Sequence, residues 1–387
     1  MRRPQIVPQP QGFGSPIAVE MSALAVQSGA VNLVRGFTGA DGPPEMLRRA
    51  EQAIAEGVDQ MPPGHGLPGL LEAIAEHRTR FDQWYYPDRE IVVTAGATEA
   101  IAACMVATVQ PGDQVIVVEP YYDSYRPSIA LAGAERVAVS LRMDAEAGRF
   151  ALDVDAISDA ITPRTRVLML NSPHNPTGMV LTDAELAAVA ELCVEHDLIA
   201  VTDEVYEDLL YDGRHVPLGT LPGMAERTLT ISSAGKMFNC PSWNVGWVCG
   251  PRELLAAVRV ARELLSFGGR AAYQPAVAYA LQKETGWARD LRDTLRGKRD
   301  RLVTGLTELG FDVLPCAAGY FALADIRPLG HTDGVEFCRQ LPAMAGVAGV
   351  PVQVSTDHPQ QWRHLVRFAF CKPDDMLTDA LTRLRKL

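Results

Sequence analysis

Nothing in this sequence pairs its cysteines. The seven stand at 104, 193, 240, 249, 316, 338 and 371, with no CxxC pair and no spacing that reads as a metal-ligand cluster. An odd, scattered set in apolar surroundings fits reduced thiols better than a disulfide framework, so a cytoplasmic location and no metal are expected. Positive charge is also scarce. Lys and Arg number 36 against 47 Asp and Glu, a formal net charge of −11, which argues against a nucleic-acid backbone or an anionic membrane as the main partner. Long hydrophobic runs are missing as well. None reaches the roughly 18–20 residues needed to span a bilayer. The opening MRRPQIVPQPQGFG has basic residues with no apolar core behind them, so it does not read as a signal peptide. No internal repeat or low-complexity tract is present.

What the chain does have is an ordinary enzyme-like balance: 387 residues, 47% hydrophobic and 21% charged, enough for a large core and two or three domains. Short β-branched runs recur at REIVVTAG, DQVIVVEP, RVAVSL, TRVLMLNSP, LIAVTDE, RTLTISS and VGWVCG, each bounded by turn residues. Helical patterns such as ATEAIAACMVATV and TDAELAAVAELCVEH lie between several of them. The second opens with Thr182 and Glu185, the spacing of a capping box. Apolar runs separated by helices predict an α/β fold with a mostly parallel seven-stranded sheet, flanked by helices. A charged helical pattern from about 284 leads into shorter elements. The expected division is an N-terminal arm over 1–40, a large α/β domain over 41–283 and a small α+β domain over 284–387, with the arm packing beside the small domain.

In open α/β sheets, ligands sit beyond the carboxyl ends of the strands. The residues just after the strands are GATEA, EPYYDSY, NSPHNPTG, DEVYED and SSAGK. Lys236, in the last of these, has no acidic residue within eight positions on either side. At a helix start the dipole disfavours a cation, and a semi-apolar pocket lowers the amine's pKa, which suits a Schiff-base nucleophile. Asp203 reads as an N-cap or turn aspartate, or as a buried carboxylate that keeps a pyridine nitrogen protonated. Tyr206, three residues on, shares its face if the segment turns helically; its hydroxyl and the Asn175 amide could bind one phenolic oxygen. Gly96, Ala97 and Thr98 open a helix and offer an anion seat, with Ser233 a further contact. Tyr122 is either core or a ring that stacks on an aromatic ligand.

NSPHNPTG, DEVY, SSAGK and the late HLVRFAFCK occur together and in this order. The chain thereby resembles the pyridoxal-phosphate enzymes of fold type I, in the class I/II aminotransferase family. The nearest branch is that of the kynurenine and N-succinyldiaminopimelate aminotransferases. The resemblance runs from about residue 20 to the C-terminus. It implies pyridoxal 5'-phosphate held by Lys236, with Asp203 on the ring nitrogen and Asn175 and Tyr206 on the phenolic oxygen. Tyr122 would stack, and Gly96, Ala97, Thr98, Asn171, Ser233 and Asn244 would complete the cofactor site. Arg367 would pair bidentately with the substrate α-carboxylate, a geometry lysine cannot reproduce, beside Gly36. A homodimer with shared active sites is implied too.

Three places depart from that pattern. Eight residues after the lysine the family has a cation on the cofactor phosphate, and here stands Asn244. Met61 replaces a tyrosine that reaches the partner's phosphate, and VRGFTG replaces a glycine-rich strap, with Val34, Arg35 and Thr38 substituted. Arg270 and Arg35 are the candidates to make up the missing charge or to touch substrate. Tyr125, Arg126 and His65 are further candidates for the side-chain pocket. Transfer of an amino group from an amino acid to a 2-oxo acid is the expected activity. The departures keep a second reading open: elimination, replacement or cyclisation through a quinonoid, on a substrate resembling S-adenosylmethionine. A third reading is a non-catalytic effector-sensing domain.

Overall fold

The structure is a computed structural model that describes residues 17–58, 64–144, 146–266 and 270–387. Seven strands form its large sheet: β1 Ile91–Ala95, β2 Gln114–Glu119, β3 Glu135–Ser140, β4 Thr165–Asn171, β5 Ile199–Asp203, β6 Thr228–Ser233 and β7 Val245–Cys249. These are the seven β-branched runs of the sequence. Their order across the sheet is β1-β7-β6-β5-β4-β2-β3. Neighbours from β6 to β3 run parallel, while β7 is antiparallel to both β6 and β1. The sheet is mixed but mostly parallel, as expected.

Both faces of this sheet are covered. Every residue of β2 and β7 is buried, and alternate residues serve different cores, as a two-residue side-chain period requires. Ile91 and Val93 pack with Trp247 and the helix Gln274–Lys283, whereas Val92 packs with Val248 and the helices Gly96–Thr108 and Arg252–Ser266. The helix Asp183–Glu195 starts on a complete capping box: Thr182 accepts from the Glu185 backbone, and the Glu185 side chain accepts from the Thr182 backbone.

A second sheet of four antiparallel strands, in the order 312–313, 321–325, 365–369 and 350–351, lies towards the C-terminus. The long helix Thr285–Glu308 leads into it. The helix Ile17–Ser28 packs against the helix Gly334–Ala345, and Val31–Asn32 pairs in parallel with Val347–Ala348. The Ala369 amide then donates to the Leu33 carbonyl at 2.8 Å. That bond carries the VRGFTG strap past the strand that bears Arg367.

Topology decides where function can sit. The parallel strands β2, β4, β5 and β6 end at one edge of the sheet. Because β7 runs the other way, its first residues return to the same edge, and Val245 pairs with Ala95. Asn244 therefore meets the start of the helix Gly96–Thr108. A Cβ on Gly96 would lie 3.4 Å from the Asn244 Oδ1.

Candidate active site

At that edge lies a cavity of about 420 Å³. Its walls include Gly36, Arg35, Gly96, Ala97, Thr98, Tyr122, Asn171, Asn175, Asp203, Tyr206, Ser233, Lys236, Asn244 and Arg367. Five chain segments read from the sequence as ends of strands converge there.

Lys236 sits on the short helix Ala234–Met237, which Ser233 caps by accepting from the Gly235 amide at 3.2 Å. Loss of solvent around the ammonium lowers its pKa, and the neighbouring Asp203 carboxylate only partly opposes this. The amine lies 5.0 Å from the Tyr320 ring centre and 5.7 Å from that of Tyr206. A semi-apolar cage of this kind favours the neutral, nucleophilic amine.

Asp203 closes β5 and is 3% exposed. Burial pushes its carboxyl up to about 6, against the pull of a hydrogen bond from Tyr125. No cation forms an ion pair with it among the described residues. A buried carboxylate without a cation is costly unless a ligand supplies the charge. Tyr206 is buried in the same wall, its ring edge-on to Tyr320 at 5.5 Å. Its hydroxyl finds no hydrogen-bond partner among the described residues, again a group awaiting one.

Asn175 stands beside them, its Oδ1 at 3.4 Å from Arg367 Nη1. Arg367 is held loosely for a buried guanidinium. Nη2 reaches the Val34 carbonyl at 3.4 Å, the plane lies 4.0 Å from the Phe321 ring centre, and the buried Nε has no partner. Burial lowers its pKa, yet arginine remains charged. Donors left free in a fixed fork suit a carboxylate. Gly36 is required where it is, because a Cβ there would meet Phe321 at 2.9 Å and Tyr320 at 3.1 Å.

The opposite end of the cavity is a cradle of small residues. The first turn of the helix Gly96–Thr108 points its free amides there. Gly246 lets β7 approach that turn, since a Cβ would come within 2.6 Å of the Gly96 carbonyl carbon. The Thr98 and Tyr122 hydroxyls lie 3.5 Å apart beside it. Asn244 holds a left-handed backbone at φ 51°, and among the described residues its side chain bonds only the Ser242 carbonyl, at 3.4 Å. Among the described residues, the cations in the cavity wall are Arg35, Lys236 and Arg367, and none belongs to this cradle. Its positive potential comes from backbone amides.

Other expected residues stand differently from the sequence reading. Asn171 lines the cavity, but its side chain is spent on backbone. Its Nδ2 donates to the Asp203 carbonyl at 2.7 Å and to Pro173 at 3.1 Å, and its Oδ1 accepts from the Asn175 amide at 2.7 Å. It fixes the turn that presents Asn175. Arg270 does not reach the cavity of its own chain: it is exposed, at φ 60°, ahead of the buried Ala271 and Ala272 that anchor the next turn. His65 and Arg126 are not in the wall either, and Tyr125 lies behind it. Met61 falls outside the described residues. Thr38 is buried and donates to Asn239, which in turn donates to the Ala40 carbonyl. That latch pins the strap next to the lysine helix.

Three contributors were not singled out in the sequence. Tyr320 donates to the Lys236 carbonyl at 3.2 Å, Phe321 supports Arg367, and Cys371 lies near Lys236 with its thiol pushed up to about 11 by burial. Nothing in their spacing marks them, since they arrive from the second sheet.

The donor set fits pyridoxal 5'-phosphate. It offers an amine for the aldehyde, an unpaired buried carboxylate for the ring nitrogen, an unpartnered hydroxyl for the phenolic oxygen and an amide cradle for the phosphate. Comparison with known proteins agrees. Residues 30–384 match the family described as aminotransferase class I and II. A probable N-succinyldiaminopimelate aminotransferase of Mycobacterium tuberculosis is 53% identical over 385 residues, covering 97% of this chain and 96% of the relative. The methionine aminotransferase of Escherichia coli is 37% identical, covering 99% of each. The solved N-succinyldiaminopimelate aminotransferase of M. tuberculosis superposes with a TM-score of 0.94 at 54% identity, over 96% of this chain and 97% of that one. Aspartate aminotransferase of Thermus thermophilus with maleate gives a TM-score of 0.89 at 34% identity, over 97% of each chain. The chain belongs to the class I and II aminotransferases, the pyridoxal-phosphate-dependent transferases whose cofactor this cavity fits.

Proposed function

We propose that this aminotransferase works on amino acids that carry a second anionic group away from the α-carbon, using the residues of the 420 Å³ cavity in the following roles. The cofactor, when bound, supplies an electron sink for the bond broken at the α-carbon. Lys236 would hold it through Nζ. With substrate bound, the free Nζ would take the α-proton and return it to the cofactor carbon on the far side of the amino nitrogen. Its lowered pKa suits the task, because a base must be neutral to accept a proton. Asp203 keeps the ring nitrogen protonated, and Asn175 and Tyr206 hold the phenolic oxygen. Arg367 binds the α-carboxylate through its free fork, with Gly36 leaving room above it. Gly96, Ala97, Thr98, Ser233 and Asn244 seat the phosphate, and Tyr122 covers the ring.

The observation that carries this reading is the convergence of Lys236, Asp203 and Arg367 on one cavity from three separate segments. Such a combination has no structural purpose of its own: two cations and a carboxylate are desolvated together without pairing. The substrate class rests on Arg35. It lines the wall next to Val34, whose carbonyl touches Arg367, and it forms no ion pair among the described residues. Asp123 lines the same rim with the opposite charge, accepts from the Ser355 hydroxyl at 3.3 Å and acts on Arg367. Even so, the cations of the wall, Arg35, Lys236 and Arg367, outnumber its carboxylates, Asp123 and Asp203. Of the substrates in the relatives' names, N-succinyldiaminopimelate, named for the 53%-identical protein, carries distal carboxylates.

The same reading includes a homodimer in which Arg270, exposed on its own chain, serves the partner's cavity. It also includes a division into an arm over 1–40, a large domain over 41–283 and a small one over 284–387.

The test is a half-reaction with N-succinyldiaminopimelate, methionine and kynurenine, each without a second substrate. One equivalent of 2-oxo acid per site, with the amino group retained by the enzyme, is expected, fastest for the first. Release of ammonia instead would overturn the transfer. An Arg35→Gln variant that left the preference unchanged would overturn the assignment of Arg35.

A further inference from the structure

Behind the cavity, where no wall residue is needed, Tyr125 points its hydroxyl at the anchor carboxylate. The residue begins the helix Tyr125–Leu131 and is 3% exposed. Its hydroxyl donates to Asp203 Oδ2 at 2.7 Å. The other oxygen, Oδ1, has only a long contact with the Val205 amide at 3.4 Å. Tyr125 is thus the one side chain among the described residues that hydrogen-bonds this carboxylate. Its ring meets the Tyr122 ring edge-on, 5.8 Å between centres and 84° between planes. One residue therefore touches both the carboxylate that anchors the cofactor ring and the aromatic side chain that covers it.

We propose that Tyr125 is a positioning residue for the transfer reaction: its hydroxyl fixes Asp203 and keeps it ionised, and its ring sets the depth of Tyr122 over the cofactor.

The chemistry favours a phenol here. A carboxylate buried without a cation drifts towards its protonated form, and a protonated Asp203 could not hold the ring nitrogen of the cofactor in its cationic state. A donor bonded to the ionised form opposes that drift. Lysine or arginine would do so more strongly, but a full charge there would compete with the pyridinium for the same carboxylate. A neutral donor supports the carboxylate and leaves the ion pair to the cofactor. Burial raises the Tyr125 pKa well above that of a free phenol, so the hydroxyl remains a donor throughout the working range. The groups that face this pair are Lys236 from the lysine helix, Glu204 from the same turn, and Tyr122 and Tyr206 from the two flanking segments. Lys236 favours the ionised carboxylate and Glu204 opposes it, and neither touches it by hydrogen bond.

The inference rests on Asp203 as the anchor of the ring nitrogen. The experiment therefore uses the holoenzyme of the wild type with Tyr125→Phe, Tyr125→Leu and Asp203→Ala. Three quantities are read: the cofactor dissociation constant by equilibrium dialysis, the pH profile of kcat/KM, and KM for the amino donor. Tyr125→Phe removes the hydroxyl and keeps the ring. It should weaken cofactor binding about tenfold, as expected for loss of a hydrogen bond to a charged group, and move the acid limb of the profile upward by about one pH unit. The KM of the donor should change less than twofold, because Arg367 is untouched. Tyr125→Leu should show the same shift of the acid limb and a further loss of kcat as Tyr122 loses its support. An acid limb unmoved in Tyr125→Phe but moved in Tyr125→Leu would assign the effect to ring packing and overturn the hydroxyl's role. An acid limb and cofactor affinity unchanged in both would overturn the whole inference. Asp203→Ala that retained wild-type cofactor affinity would instead overturn the anchor itself.

Discussion

Asp203 and Glu207 lie four residues apart on one turn, 3% and 4% exposed, and their charges meet opposite surroundings. Glu207 faces away from the cavity. Its Oε2 pairs with Arg78 and its Oε1 accepts from Ser232 at 2.8 Å, with His77 Nε2 at 3.4 Å. Glu204 shares the same guanidinium at 2.9 Å and meets His215 at 2.9 Å. Arg78 itself is wholly buried and also donates to Gln83. Burial pushes Glu207 up, but Arg78 and His77 outweigh it and hold the carboxyl well below the usual range. Asp203, on the cavity side, has a phenol in place of a cation, and burial prevails. The buried charges behind the turn are paired and serve the fold. The one in front has no cation among the described residues, as the proposed anchoring of the cofactor ring requires.

The largest effect that would break this comparison is on the back of the turn. Arg78→Met leaves Glu204 and Glu207 buried without their cation and should cost about 3–5 kcal/mol in denaturant unfolding. A loss under about 1 kcal/mol would mean that the two faces are treated alike. The pH dependence should follow. The folded pKa of Glu207 lies below its unfolded value, so its contribution is present above about pH 4.5 and is lost as pH falls towards the depressed folded value. Glu207→Gln should remove that acid-side slope, read from unfolding midpoints between about pH 7 and pH 3.

On the front, Arg367→Lys keeps the charge and loses the fork. It should lower kcat/KM for the amino donor by about tenfold or more, with little change in thermal stability, because the guanidinium makes only long contacts in the protein. The smallest effect belongs to the cradle. Asn244→Lys places a cation at an exposed position beside the Gly96 turn. It should tighten cofactor binding by about 1 kcal/mol or less and fade at high salt. A larger gain would show that amides alone serve the phosphate poorly.

The two sides of the turn also differ in how readable they were. The seven strands follow from β-branched runs between turn residues, and Lys236, Asp203, Asn175 and Tyr206 follow from lying at or just beyond strands, whereas Arg367, inside the strand Leu365–Ala369, was indicated only by the family resemblance. Their chemistry is carried by residue type and position along the chain. Tyr125 was noted as a wall candidate, whereas it lies behind the wall, its ring edge-on to that of Tyr122; nothing in the spacing of the two showed which of them faces the cavity. The Arg78 network gave no signal, because DEVYED reads as a charged loop until the fold buries half of it. Arg270 is legible only in part: the turn after it packs Ala271 inward and leaves the guanidinium exposed on its own chain, where the proposed homodimer would turn it towards the partner's cavity.

The claim that Asp203 is kept unpaired for a ligand can be measured directly, without activity, as the pH dependence of unfolding of cofactor-free wild type and Asp203→Asn. Burial pushes the folded Asp203 carboxyl up to about 6, above the 3.8 of an ordinary aspartate. Below that ordinary value both states are protonated and the variants should agree. Between the two values the native protein holds a proton that the unfolded chain has released, and above about 6 the buried carboxylate carries its full cost. Asn keeps the contact with Tyr125 and bears no charge. Asp203→Asn should therefore match the wild type near pH 4, gain stability through pH 6 and level off about 3 kcal/mol more stable at pH 8, while its holoenzyme loses transfer activity. A variant no more stable than the wild type at pH 8 would contradict the account.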